Sequence, residues 1–570
     1  MSADGATLTD DLLEAARAWL AQDPDGQTRD ELRALISRTE EADAAAAAEL
    51  ANRFSQRLAF GTAGLRGALG AGPNRMNRVL VAQAAAGLAA FLRERAGEGA
   101  APSVVIGYDG RRNSDVFARD SAEIFAGAGL HAILLPRMLP TPVLAFAVRH
   151  LGASAGVMVT ASHNPPDDNG YKVYLGGDDD GAQIVSPSDS SIAAHIQRIA
   201  DTTELGELPR SVGYSNADES LVEAYVAATA AVSPAPASAD GLRWVYTAMH
   251  GVGWETLSRI VESAGYPAPI PVEAQLHPDG AFPTVAFPNP EEPGALDLAY
   301  ETARESSADL IIANDPDADR LAVAIPDASA DGGWRMLSGN DVGLLLGWRA
   351  ARAAVDEHGV PRDPSASLAC SLVSSPGLGR IAEHYGLGFH ETLTGFKWIS
   401  RAPGLVYGYE EALGYLVNPG TVRDKDGISA AIAMLGLVGQ AREDGRTIAD
   451  VLAEFRETFG AFASDQISIR VDDVAEIAAM MAALRDDLPQ TVGGVAASQV
   501  DDLRDGLGDL PPGDVLRFSL EDGSRLIVRP SGTEPKLKLY LDVRATTEKK
   551  ARKRLAELAA GAREMLDAVR

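Results

Sequence analysis

Alternation is the feature that most constrains this chain. Apolar runs of strand length take turns with helix-like stretches: "SVVIGYDGR" reads as a strand closing on a Gly/Asp turn, "DSAEIFAGAGL" as a helix, and "HAILLP" and "SAGVMVTA" as further strands. Strands spaced by helices in this way build α/β layers. The pattern breaks at the loop "SPAPASAD" (Ser233 to Asp240), restarts at "LRWVYTAMHGVG" and runs to "ADLIIANDPDADRLAVAIPD". It restarts again near Asp341, passes through "SLACSLVSS" and "LVYGYEEALGY", and ends in a long helix around "ISAAIAMLGLVGQA". Element order therefore predicts three α/β units of similar size, without a residue-level repeat.

The two ends read differently. Asp10 to Arg57 is rich in Ala, Glu and Leu and predicts helix. Near the C-terminus, "VLRFSLEDGSRLIVRP" predicts a hairpin turning at Asp522-Gly523, "KLKLYLDV" alternates with period two, and "TTEKKARKRLAELAAGAREML" predicts a helix with a threonine cap. A chain of 570 residues exceeds one core, at ~100–200 residues per domain. The expected division is a helical extension (1–50), three α/β domains (51–210, 211–330, 331–455) and a C-terminal α+β domain (456–570). An apolar content of 46% with 23% charged residues is that of a globular protein. The net charge of -29 argues against a nucleic-acid or anionic-membrane partner, so any anionic substrate needs locally concentrated basic residues. Cys370, the single cysteine, excludes an intramolecular disulfide and a cysteine-built zinc site. "MSADGATLTDDLLEAARAWL" has no basic stretch ahead of a long apolar core, and no run reaches ~18 apolar residues. The expectation is a cytoplasmic chain.

The chemistry concentrates in a few turns. In "NDPDADR" (Asn314 to Arg320), Asp315, Asp317 and Asp319 fall at alternate positions after the strand "LIIA". Three such carboxylates in a curled loop can converge on a hard cation, Mg²⁺ or Ca²⁺, or else stand as a solvated acidic turn. An EF-hand is excluded: counting Asp315 as the first position, Arg320 replaces the required Gly and Pro326 the required Glu. "RPSGTEPK" (Arg529 to Lys536) offers backbone N–H groups, hydroxyls and a guanidinium for an anion, or else is an ordinary turn between strands. "FGTAGLRG" (Phe60 to Gly67) repeats that mixture around Arg66. Glu410 and Glu411 in "YGYEEALGY" could accept hydrogen bonds from vicinal sugar hydroxyls, or form a solvated turn. The strand "SAGVMVTA" opens onto "SHNPPDDNGYKVY". Ser162 does not sit in a G-x-S-x-G elbow, and His163 beside it diverges in extended chain. The better reading makes Ser162 a phosphate carrier completing the coordination of Mg²⁺, with Lys172 the nearby basic group for a sugar hydroxyl.

Taken together, "GTAGLRG", "TASHNP", "DPDADR", "GYEEALGY" and "RPSGTEPK", in this order from about Phe60 to the last helix, resemble the α-D-phosphohexomutase family. "FPNPEEP" and "RDKDGI" are similar to family segments too. The resemblance implies three α/β domains with mixed sheets and a smaller C-terminal α+β domain around a central cleft. It implies Ser162 as the phosphoserine, Asp315, Asp317 and Asp319 as ligands of one Mg²⁺ per chain, and Arg320 and His163 flanking the transferring phosphate. Lys172 would be the acid/base candidate, with Arg66 helping in the same region. Glu410 would read sugar hydroxyls, and Arg529, Ser531, Gly532 and Thr533 would hold the non-reacting phosphate. Catalytic glucose 1,6-bisphosphate is the implied activator, and the chain would be a monomer or homodimer binding small sugar phosphates.

One loop departs from the family pattern: Ala412 stands where many members carry a hydroxyl, removing one hydrogen bond to the sugar. "GYEEALGY", "FGTAGLRG" and "LTGFKWIS" resemble the branch of bacterial phosphoglucomutases, phosphopentomutases and glucose-1,6-bisphosphate synthases. Lys397 in the last of these is either a phosphate contact or proton donor, or an ordinary surface lysine. The expected activity is a mutase moving phosphate between C1 and C6 of glucose, then mannose. A phosphopentomutase, a bisphosphate synthase and a catalytically silent sugar-phosphate sensor are the alternatives.

Overall fold

The computed structural model describes residues 3–569 apart from 63, 98, 472–473 and 532–535. Four sheets follow one another along the chain. The first contains β1 (Leu65–Ala68), β2 (Ser103–Tyr108), β3 (His131–Leu134), β4 (Ala155–Val159), β5 (Asp168–Leu175), β6 (Ala182–Gln183) and β7 (Ser215–Asn216), in the order β1-β5-β4-β2-β3-β7, with β6 on β5. β2, β3 and β4 run parallel, whereas β5 runs antiparallel to β4 and to β1. Every residue of β4 is buried, as a strand covered by helices on both faces requires.

The second sheet holds β8 (Trp244–Thr247), β9 (Ile270–Pro271), β10 (Leu310–Asn314), β11 (Leu321–Pro326) and β12 (Trp334–Met336), and the third holds β13 (Ser367–Ser371), β14 (Gly388–Thr392), β15 (Leu405–Glu410) and β16 (Gly414–Leu416). Each has a parallel centre and an antiparallel edge. The fourth is wholly antiparallel: β17 (Ala461–Arg470), β18 (Thr491–Val492), β19 (Val495–Asp502), β20 (Leu516–Leu520), β21 (Arg525–Pro530) and β22 (Lys536–Ala545), ordered β17-β22-β21-β20-β19-β18. The expected hairpin is β20–β21, and Thr547 caps the final helix by accepting from the Lys550 N–H. Mixed α/β sheets followed by an α+β unit match the expected fold class.

Two compact units emerge. One comprises the residues up to Met336 together with Asn418–Gly436; the other comprises Leu337–Val417 and the residues from Leu437 on. Within the first unit, helices Ala3–Gln22, Gly26–Glu40 and Ala44–Phe54 bury Leu13, Trp19, Leu32, Ile36 and Leu50 in the same apolar cluster as β1, β2 and β4. Asn418–Gly436 leaves the third α/β repeat to join this unit. Its Asp424 accepts hydrogen bonds from Tyr174 (2.9 Å) and Gln183 (2.8 Å), and its Asp426 accepts one from Tyr225 (3.0 Å). No helix among the described residues is long and apolar enough to cross a membrane.

Candidate active site

Ser162 follows β4 by three residues and takes φ +53°, a left-handed conformation that lifts its side chain out of the strand direction. Only 2% of Ser162 is exposed; its Oγ donates to Asp315 Oδ2 at 3.0 Å and lies 3.2 Å from His163 Nδ1. Adjacent side chains, which extended chain would splay apart, thus share one site because the backbone turns.

The turn is held from beneath by Arg111. Its Nη2 donates to the carbonyls of Ser162 and Asn164, both at 2.6 Å, and its Nη1 to those of Pro165 (2.8 Å) and Asp168 (3.2 Å). Asp109 lies 3.5 Å from Arg111 Nε, and the Phe282 ring stacks 4.9 Å from the guanidinium. In the sequence, "SVVIGYDGR" signals a strand and its closing Gly/Asp turn, with no role for Arg111. A buried fork satisfying four carbonyls carries no sequence signal beyond an Arg near a strand end.

β10 delivers the aspartates. Asp315, Asp317 and Asp319 are fully buried, with candidate ligand oxygens all within 4.8 Å of one another. Asn314 braces their loop by accepting from Tyr246 Oη (2.9 Å) and donating to the Arg320 carbonyl (2.6 Å). Asp317 Oδ2 accepts from Thr141 Oγ1 and Lys172 Nζ, each at 2.7 Å, and Asp319 Oδ2 accepts from Lys172 Nζ at 2.8 Å. Lys425 Nζ lies 2.9 Å from Asp319 Oδ2, and Arg320 Nε lies 3.9 Å from both Asp315 and Asp319. Lys172 reaches the cluster because β5 doubles back beside β4, with Met158 opposite Lys172.

The electrostatics follow from this crowding. Burial and the two neighbouring carboxylates push Asp315 well above the usual carboxylate range. Burial acts the same way on Asp317, but Lys172, Thr141 and Lys425 outweigh it and hold that carboxyl below its ordinary value. Asp319 is also lowered, with Lys172, Lys425 and Arg320 overcoming burial and the Asp317 charge. Burial, then Arg320 and Arg66, drives His163 well below an ordinary imidazole. Buried Asp317 Oδ1 and Asp319 Oδ1 have no hydrogen-bond partner among the described residues. Orphaned carboxylate oxygens beside a serine hydroxyl are an all-oxygen donor set that fits a hard divalent cation.

Arg66, on β1, is half-buried and donates to Asn164 Oδ1 at 3.4 Å; desolvation lowers its pKa against the opposing pull of Asp317. Gly64 makes β1's approach possible: with φ +79°, a Cβ there would sit 1.9 Å from the Tyr171 carbonyl oxygen. The structure thus gathers Ser162, His163, Lys172, Arg66, Arg320 and the three aspartates into one cluster. Lys425 and Thr141 join them, although neither carries a signal in the sequence beyond Lys425's place in the family-like segment "RDKDGI".

The remaining candidates lie in the second unit. Arg529, on β21, donates to Thr394 Oγ1 at 2.8 Å, and the Ser531 N–H donates to the Lys536 carbonyl at 2.8 Å. Gly532 and Thr533 lie outside the described residues. Lys397, three residues after Thr394, stands 6.0 Å from the Trp398 ring. Glu410 ends β15, whereas Glu411 turns inward, its Oε2 accepting from Ser371 Oγ (3.1 Å) and Ser374 Oγ (3.0 Å). The two glutamates are therefore not equivalent.

Known proteins resemble this chain over most of its length. Residues 57–203, 223–329 and 339–459 match the alpha/beta/alpha domains I, II and III of phosphoglucomutase/phosphomannomutase, and residues 467–560 match its C-terminal domain. The chain is 55% identical to "Probable phosphomannomutase" of Haemophilus influenzae across 86% of its own length and 98% of that protein's. It is 34% identical to the phosphoribomutase of Saccharomyces cerevisiae, covering 96% and 94% respectively. A phosphoglucomutase/phosphomannomutase family protein from Burkholderia thailandensis shares the fold, with TM-score 0.68 and 20% identity over 90% of this chain and 97% of that one. The chain belongs to the α-D-phosphohexomutase family. It is a phosphomutase, an isomerase of the phosphotransferase type.

Proposed function

We propose that this phosphomutase moves phosphate between C1 and C6 of a hexose, glucose first and mannose second, through a phosphoserine and a bisphosphorylated intermediate. The observation that carries the reading is Ser162 Oγ 3.0 Å from Asp315, beside two buried carboxylate oxygens with no hydrogen-bond partner among the described residues. In this reading the P–O bond to Ser162 Oγ breaks as a bond to a sugar hydroxyl oxygen forms, giving a bisphosphate. The reverse transfer from the other end reloads Ser162. Asp315, Asp317, Asp319 and the seryl phosphate would hold one Mg²⁺, which when bound offsets charge on the transferring group. Arg320, His163 and Arg66 surround the transferring phosphate. Lys172 gives two of its three ammonium donors to Asp317 and Asp319, leaving one for the reacting hydroxyl as acid/base. Glu410 reads ring hydroxyls, the loop from Arg529 to Thr533 grips the other phosphate with Lys397 as a further contact, and glucose 1,6-bisphosphate loads Ser162.

A pentose reading has its own support: Ala412 lacks the hydroxyl of the usual hexose loop, and the S. cerevisiae relative, matched nearly end to end, is a phosphoribomutase. ³¹P NMR with Mg²⁺ and trace glucose 1,6-bisphosphate decides between them. Glucose 1-phosphate, mannose 1-phosphate and ribose 1-phosphate are supplied in separate tubes. Faster movement to C6 of a hexose supports the proposal, and faster ribose 1-phosphate turnover replaces it with the pentomutase. Binding without conversion in every tube leaves only a sensor.

A further inference from the structure

The turn after β13 is sandwiched between two functional regions of the second unit. On one side, Ser371 and Ser374 hold Glu411, and the Glu411 N–H also donates to Ser374 Oγ at 3.1 Å. On the other, Leu372 and Val373 pack into an apolar cluster with Ile527 of β21 and Tyr540 of β22. Arg525 crosses that seam. Its Nη2 donates to the Ser374 carbonyl at 2.6 Å and to Asp542 at 2.8 Å, while its Nη1 donates to Glu391 of β14 at 2.8 Å. Glu391 is gripped from its other oxygen by Arg517 of β20 at 3.0 Å. Ser464 Oγ, at 2.7 Å, satisfies the second oxygen of Asp542.

Such a network is an expensive way to glue two sheets together. A buried ion pair rarely out-stabilises well-packed apolar residues of equal volume, but its directional bonds permit one arrangement only. Here they fix the Ser371–Ser374 turn, and through it the Glu411 loop, to β21. Arg529 projects from the same face of β21, four residues on, or ~13 Å at strand rise. At that end Arg529 bonds Thr394, so the strand is tied to the third sheet's segments at both ends.

We propose that Arg525 is a positioning residue for sugar selection. It holds the Glu410–Glu411 loop at a set distance from Arg529, so that the site measures the separation between ring hydroxyls and the non-reacting phosphate. This rests on the roles given to Glu410 and Arg529 above. A six-carbon and a five-carbon sugar phosphate differ in that separation, and a loosened loop tolerates both.

The test compares wild type with R525M/D542N, in which the carboxylate that Arg525 would leave uncompensated is also neutralised while Glu391 keeps Arg517. R525K is the conservative variant, retaining charge but not the fork. KM and kcat are measured for glucose 1-phosphate and ribose 1-phosphate, and amide hydrogen exchange is followed over residues 371–375 and 408–416. The expected result is a change of about tenfold or more in the ratio of the two kcat/KM values, the loss of about one charge-assisted hydrogen bond. It should be carried mainly by KM, with faster exchange in both segments, and R525K should recover thermal stability but not the ratio. Equal losses for both sugars, or unchanged exchange in a variant with a native circular dichroism spectrum, would overturn the assignment. If wild-type protein converts neither sugar, the proposed function fails, and the exchange data alone then uphold or overturn Arg525 as the loop's anchor.

Discussion

Replacing Arg111 with Met tests whether the Ser162 turn is built by one buried guanidinium. Two of its nitrogens serve four carbonyls, at 2.6, 2.6, 2.8 and 3.2 Å. A hydrogen bond from a charged donor contributes ~1.5–3 kcal/mol, and counting each nitrogen once, because each is shared, gives ~3–6 kcal/mol. Asp109, buried beside it, would lose its countercharge as well. Residues 160–167 lie between β4 and β5 and belong to neither strand, so the cost falls first on the turn. An opening favoured by ~3 kcal/mol lowers the population of the competent turn ~100-fold. The expected outcome is a loss of about 100-fold in kcat/KM with the circular dichroism spectrum retained, and limited proteolysis cutting between residues 160 and 168. R111K, with one nitrogen for two, should fall between. A folded R111M variant within threefold of wild-type activity would refute the reasoning.

Other consequences can be checked alongside. Ser162→Ala should abolish turnover to below about one-thousandth of wild type while calorimetry still detects sugar-phosphate binding; retained turnover would remove Ser162 from the chemistry. Stripping divalent ions with a chelator should stop turnover and Mg²⁺ should restore it, whereas Asp317→Asn should not be rescued at millimolar Mg²⁺. Asp120 is buried and bonded to Arg78 (2.7 Å) and Arg210 (2.7 Å), which outweigh burial and lower its pKa from 3.8. Its stabilisation is therefore present above pH 3.8 and lost as pH falls through the lower folded value, so Asp120→Asn should destabilise the protein at neutral pH by ~1–3 kcal/mol, with the gap closing below pH 3.8 in acid denaturation. Gly64→Ala should lower the melting temperature and activity together, because its Cβ has no room against the Tyr171 carbonyl.

Most parts of the site legible in the sequence are neighbours in the chain; Arg66, distant from Ser162, came only with the family resemblance. Asp315, Asp317 and Asp319 occupy one loop, and Ser162 and His163 one turn, so residue type and spacing announce a cation and an anion carrier. Lys172 was within reach because a strand doubling back after ten residues is a local event. Arg111, Thr141 and Lys425 were not legible as partners. Lys425 meets Asp319 only because Asn418–Gly436 leaves its own repeat for the first unit, and no periodicity records that departure. The hold of Ser371 and Ser374 on Glu411 was invisible for the same reason, since the two serines lie on another strand and turn. By itself the sequence determined the order of layers, the chemical groups available and the family they belong to, because hydrophobic period and turn chemistry act over a few residues. Tertiary structure alone decided which buried charges meet and which oxygens stay unpartnered, because those energies depend on distances between segments that the chain order does not set.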